Sequence, residues 1–190
     1  MTRAKRLAYD LNGRWHEVAL WIFMAGIVAH MAEHAVQAAQ IYALGNAIPD
    51  SRGIAGQWFP WLARSEALHY FYAIYSLTGL VLLLPAFQGQ ARWWWSAALV
   101  IQFWHHLEHV LLLFQRVTGD FFFGEPVPTS IVQLVVPRVE LHLAYNTLVF
   151  VPMVIALVLH FYPTAGDRPM PLCGCARRAG WRSHVTAQST

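Results

Sequence analysis

The sequence predicts an all-α integral membrane protein: a four-transmembrane-helix bundle built from two repeated helical hairpins. Three observations predict it. Of 190 residues, 57% are hydrophobic and only 12% are charged, where a soluble domain of this size carries about 25% charged residues. Four apolar stretches are each about long enough to cross a hydrocarbon core of ~30 Å. A polar pattern, His-x-x-Glu-His, stands on the first of these stretches and returns on the third.

The first stretch covers about 18–39. It follows Arg14-Trp15-His16-Glu17 and has no small-residue cleavage pattern after it, so it reads as a retained span rather than a signal peptide. The others cover about 68–87, 93–114 and 139–162. One transmembrane domain, 1–166, follows from these, with a first repeat over about 16–87, a second over about 92–162, and an Arg-rich tail at 167–190.

Basic residues orient the chain. Arg3, Lys5, Arg6 and Arg14 precede the first span, Arg92 lies in the short turn between the second and third, and Arg168, Arg177, Arg178 and Arg182 follow the fourth. Positive flanks stay inside, which predicts cytoplasmic termini in a bacterial inner membrane. The same distribution makes the basic balance a topology signal and excludes a nucleic-acid partner, since no aromatic-basic surface for bases is present. The longer loops, 40–64 and 115–138, then lie outside. Their aromatic runs, Trp58-Phe59-Pro60-Trp61 and Phe121-Phe122-Phe123-Gly124, fit either interfacial anchors or a lid over the outer mouth.

The polar pattern carries the chemistry. His30, Glu33 and His34 project from one helix face about a turn apart, as do His105, Glu108 and His109. Ionisable groups at membrane depth cost roughly 2.5–3.5 kcal/mol each on insertion scales, so six of them imply partners or cations. Each triad is followed six residues later by Gln40 or Gln115, and His69 with Tyr72 matches His142 with Tyr145 on the second helix of each hairpin. Parallel repeats of this kind imply a pseudo-twofold axis along the membrane normal.

Depth brings these residues together. At 1.5 Å per residue, His30 and His34 lie about 20–27 Å along the first helix from its cytoplasmic start, and His105 and His109 lie similarly along the third. His69 and His142 stand within about a turn of the outer starts of helices running the other way. The predicted metal ligands are therefore His30, Glu33, His34, His69, His105, Glu108, His109 and His142. Eight such groups suit a dinuclear metal centre, with Glu33 and Glu108 facing each other as bridges, as in four-helix di-metal bundles. Imidazole and carboxylate without thiolate suit iron first, with zinc, manganese or copper also compatible.

Several other residues have structural roles as their first reading. His106, about 100° off the chelating face, packs; Glu66 and Glu140 sit near helix starts, where carboxylates complement the dipole. Tyr72 and Tyr145 support the histidines beside them. Cys173-Gly-Cys175 with His184 offers too few ligands for a closed tetrahedral site in a short tail, and His16 and His160 read as interfacial residues at the cytoplasmic face.

The boxes His30-(x3)-His34 and His105-His106-(x2)-His109 resemble those of membrane di-iron hydroxylases and desaturases. That resemblance implies an oxidoreductase, with iron activating dioxygen against a lipophilic substrate and a quinol or partner membrane subunit delivering electrons. His-x-x-Glu-His is also the inverted zinc-protease signature, although a protease needs only one copy. A haem b or pigment-binding electron-transfer subunit is a second class, because His16 and His30 are separated by about 21 Å of helix, near the spacing of two stacked haems. A non-catalytic metal-binding subunit of a larger complex or homo-oligomer is the third.

Overall fold

The structure, a computed structural model, describes residues 3–63, 65–163, 173 and 175. Among these it is all-helical. A short helix α1, Arg3–Asn12, precedes the first long helix α2, His16–Tyr42; two single-turn helices α3, Ala55–Trp58, and α4, Pro60–Ala63, lie in the first long loop. The remaining long helices are α5, Glu66–Leu83, extended by a 3₁₀ turn to Ala86, then α6, Gly89–Thr118, and α7, Arg138–Phe161. All four long helices are apolar and long enough to cross a membrane. They fit an integral membrane protein in contact with lipid.

Helix ends follow local chemistry rather than the apolar runs. Ser65 caps α5 by accepting the Leu68 N–H on its hydroxyl at 3.2 Å. Gly119, at φ 78°, closes α6 in the left-handed conformation that a side chain would oppose. α2 and α6 run past the predicted spans into their polar flanks by about a turn, while α5 and α7 keep close to theirs. The single turn between α5 and α6 makes those two antiparallel neighbours, and α7 packs on α6 and back against α2.

The apolar core fills only one half of the bundle. Leu20, Phe23, Met24 and Ile27 of α2 meet Leu80 and Leu83 of α5, Phe87, Trp95 and Ala98 around the start of α6, and Val149, Met153 and Ala156 of α7. All lie toward the turn end, away from the long loops. Trp95 donates its indole N–H to the Leu80 carbonyl at 2.9 Å, and the Tyr75 hydroxyl reaches the Ile22 and Phe23 carbonyls, so these two aromatic side chains find backbone partners. Gly79 lets α5 approach the Phe23 ring so closely that a methyl group there would collide with it. The core stops near Ala73, where Gln102 donates to the Ala73 carbonyl at 3.0 Å. Beyond that level histidines stand among Leu112, Leu141 and buried polar side chains such as Glu108 and Gln115.

Candidate metal centre

Six histidines occupy the loop half of the interior, drawn from all four long helices. His30 and His34 come from α2, His69 from α5, His105 and His109 from α6, and His142 from α7. His142 is the hub: its ring centroid lies 4.5 Å from that of His34, 5.4 Å from those of His69 and His109, 5.5 Å from that of His105 and 6.3 Å from that of His30. Two groups of possible ligand atoms form within it, His30/His34/His142 and His105/His109/His142, each with its atoms within 4.8 Å of one another. His34, His105 and His109 are buried.

The nitrogen geometry is specific. His34 Nδ1–H donates to the Gln37 side-chain oxygen at 2.8 Å, which leaves its Nε2 as a lone pair. That Nε2 lies 3.2 Å from His30 Nε2 and 3.1 Å from His142 Nε2. His105 and His109 repeat the contact on the other side, Nε2 to Nε2 at 3.2 Å. Imidazole nitrogens bound at 2.0–2.1 Å to one ion stand about 3 Å apart, so these groups could hold a cation. His69 lies beside these groups: its Nδ1–H donates to the Ser65 carbonyl at 2.8 Å, which leaves Nε2 unprotonated, and its ring stacks on His109 at 6.1 Å.

Glu33 and Glu108, expected to bridge two ions, are not in either group of converging atoms. Each is bonded to the loop that follows its own helix. Glu33 Oε1 accepts the Ala55 N–H at 2.7 Å and the Gly56 N–H at 3.3 Å; Glu108 accepts the Ser130 hydroxyl at 2.8 Å and the Val132 N–H at 3.0 Å. Gln40 accepts the Gly53 N–H, and Gln115 accepts the Phe122 and Thr129 N–H groups while donating to the Thr129 carbonyl. Loop amides near an apolar phase need acceptors, and these four side chains supply them. Both loops are thereby fastened across the end of the bundle above the histidines.

The flanking residues also take definite places. Tyr72 stacks on His30 at 4.3 Å, and Tyr145 lies 4.6 Å from His105 while its hydroxyl accepts the Trp104 indole N–H. His106 turns away from the group and packs on Tyr70. Glu66, buried at the start of α5, pairs with Arg138 at the start of α7, and Glu140 accepts the Tyr42 hydroxyl at 2.7 Å, so neither carboxylate acts only as a helix cap. Two cavities reach the histidines from either side of α2. One, of about 380 Å³, is lined by His34, Arg52, Glu66, His69, Arg138 and His142; the other, of about 330 Å³, by His30, Glu33, His34, Arg52, His69 and Tyr72. The 167–190 tail lies outside the described residues except at Cys173 and Cys175, and so does His184.

No protein-family model, curated protein or solved structure matches the chain.

Proposed function

We propose that this chain is a membrane metalloprotein whose outer-end imidazoles hold one or two metal ions, used in oxidation and reduction of a lipophilic molecule. The observation that carries the reading is the convergence of the His30 and His142 Nε2 atoms on the lone pair of His34, at 3.2 and 3.1 Å. In a half-apolar interior a cation accounts for that convergence better than hydrogen bonds do, since the single lone pair on His34 Nε2 accepts squarely from only one of the two imidazoles that face it. His30, His34, His105, His109 and His142 are the proposed ligands, with His69 positioned to complete one of the ions. His142 touches both groups and couples them.

An all-imidazole set suits iron, copper or zinc and serves manganese, which favours carboxylates, poorly. Iron remains the first choice, and a redox-active ion would supply the electron exchange. Gln37 and Ser65 fix the tautomers of His34 and His69, as outer hydrogen bonds do for metal-bound histidines. The fastened loops exclude bulk water, and the two cavities leave space beside the ligands for the reacting part of a substrate or a quinol. Equivalent work by Glu33 with Gln40 and by Glu108 with Gln115 supports reading the chain as two repeated hairpins.

Two competing readings lose ground on geometry. The haem reading rests on His16 and His30, and both rings are already packed face or edge against neighbours, His16 on Phe87 and His160 and His30 on His34 and Tyr72. An inverted zinc-protease site needs its glutamate free as a base, and both glutamates are committed to loop amides. The test is metal analysis by mass spectrometry on detergent-purified protein, followed by oxygen uptake with a reduced quinone. We expect about one to two ions per chain in this centre, at least about half of them lost in His142→Ala and fewer in His69→Ala. An unchanged ratio in His142→Ala overturns the centre. Metal binding without oxygen uptake overturns the redox role and makes the chain a non-catalytic metal-binding subunit.

A further inference from the structure

The opposite end of the bundle holds a second cluster, of different chemistry. His16 opens α2, His160 closes α7, and Cys173 and Cys175 lie against them; one ligand atom from each of the four falls within 4.8 Å of all the others. All four residues are buried, His16 and Cys173 at 0% exposure. We propose that His16, His160, Cys173 and Cys175 form a closed tetrahedral zinc site that fastens the segment after α7 to the turn end of the bundle.

Three independent features point to a ligand. Neither ring nitrogen of His16 has a hydrogen-bond partner among the described residues, although the side chain is fully buried. An imidazole stripped of water on both nitrogens costs several kcal/mol unless something fills one of them, and a cation does so. Both cysteines are free thiols, and Cys173 Sγ lies 3.6 Å from His160 Nε2. Sulfur at 2.3 Å and nitrogen at 2.0–2.1 Å from one tetrahedral zinc stand about 3.6 Å apart. Finally, the charge closes: two thiolates, formed by releasing two protons to solvent, and two neutral imidazoles make the zinc complex neutral, so it can be buried without a counter-charge.

The surroundings suit a structural rather than a reactive ion. Phe87, stacked on Trp95 at 4.1 Å, lies against His160 at 4.7 Å and His16 at 5.7 Å, which shuts water from that side. Four protein ligands leave no open position, the mark of a structural zinc. A thiolate pair also separates this site from the histidine cluster about 21 Å away along α2, and the inference does not depend on the function of that cluster.

Cobalt(II) provides the test, because only thiolate ligands give a sulfur-to-cobalt charge-transfer band and the all-histidine centre cannot contribute one. Full-length protein purified in detergent with reductant should take up zinc, and replacement by cobalt should produce the band. Cys173→Ser with Cys175→Ser should abolish it and lower the zinc ratio by about one ion per chain, whereas His109→Ala should keep it. Should the double variant fail to fold, thiol alkylation of the wild-type protein decides: Cys173 and Cys175 should resist a maleimide until a chelator is added. A wild-type protein with no charge-transfer band, thiols equally reactive with and without chelator, or a Cys173–Cys175 disulfide would overturn the site.

Discussion

At the residue scale, Glu33 and Glu108 separate what a helical pattern says from what a fold does. The histidines were legible because i and i+4 on a helix lie only about 40° apart, so any pair so spaced must share a face. A residue at i+3 lies about 100° from the one at i+4, on the edge of that face, where it can turn inward or toward a neighbouring loop. The demand that decides, unsatisfied amides at Ala55, Gly56 and Val132, arises only once the loops fold back and leaves no mark in spacing. Glu33→Gln and Glu108→Gln should therefore leave the metal-to-protein ratio unchanged while weakening the loop bonds by about 1–3 kcal/mol. Hydrogen exchange at those amides should accelerate; loss of metal instead would return the carboxylates to the ligand set.

Among the elements, the four spans were legible in hydropathy alone, since a run of about 20 apolar residues has few other uses. Their ends were not, because Ser65 and Gly119 set them by capping. The Cys and His cluster was illegible for a different reason: His16 and His160 read as interfacial residues until the Cys173 and Cys175 thiols are placed against them, a contact that no local pattern encodes. The first loop, 43–65, carries its own local signal in Gly53, whose φ of 71° and close approach to the Glu33 carboxylate both exclude a side chain. Gly53→Ala should strain the loop by about 1–3 kcal/mol and quicken its cleavage in limited proteolysis. Equal cleavage rates would show that the loop is not fastened there.

For the whole molecule, the exposed surface of the long helices is a belt of large apolar side chains, among them Trp21, Ile22, Phe71, Val100 and Val151, as a lipid-facing bundle requires. If the basic flanks stay inside, single cysteines introduced in the 43–65 and 119–137 loops should react with an impermeant maleimide from outside the cell, and one introduced at Arg92 should not. Labelling of Arg92→Cys from outside would reverse the topology. The division of the interior into an apolar half and an imidazole half has a mechanical consequence. Close packing resists separation at the turn end, while at the other end the helices are joined through rings and through loops tied to Glu33, Gln40, Glu108 and Gln115. The bundle is built like a clothes-peg, closed at one end by its apolar core and holding its imidazoles at the other.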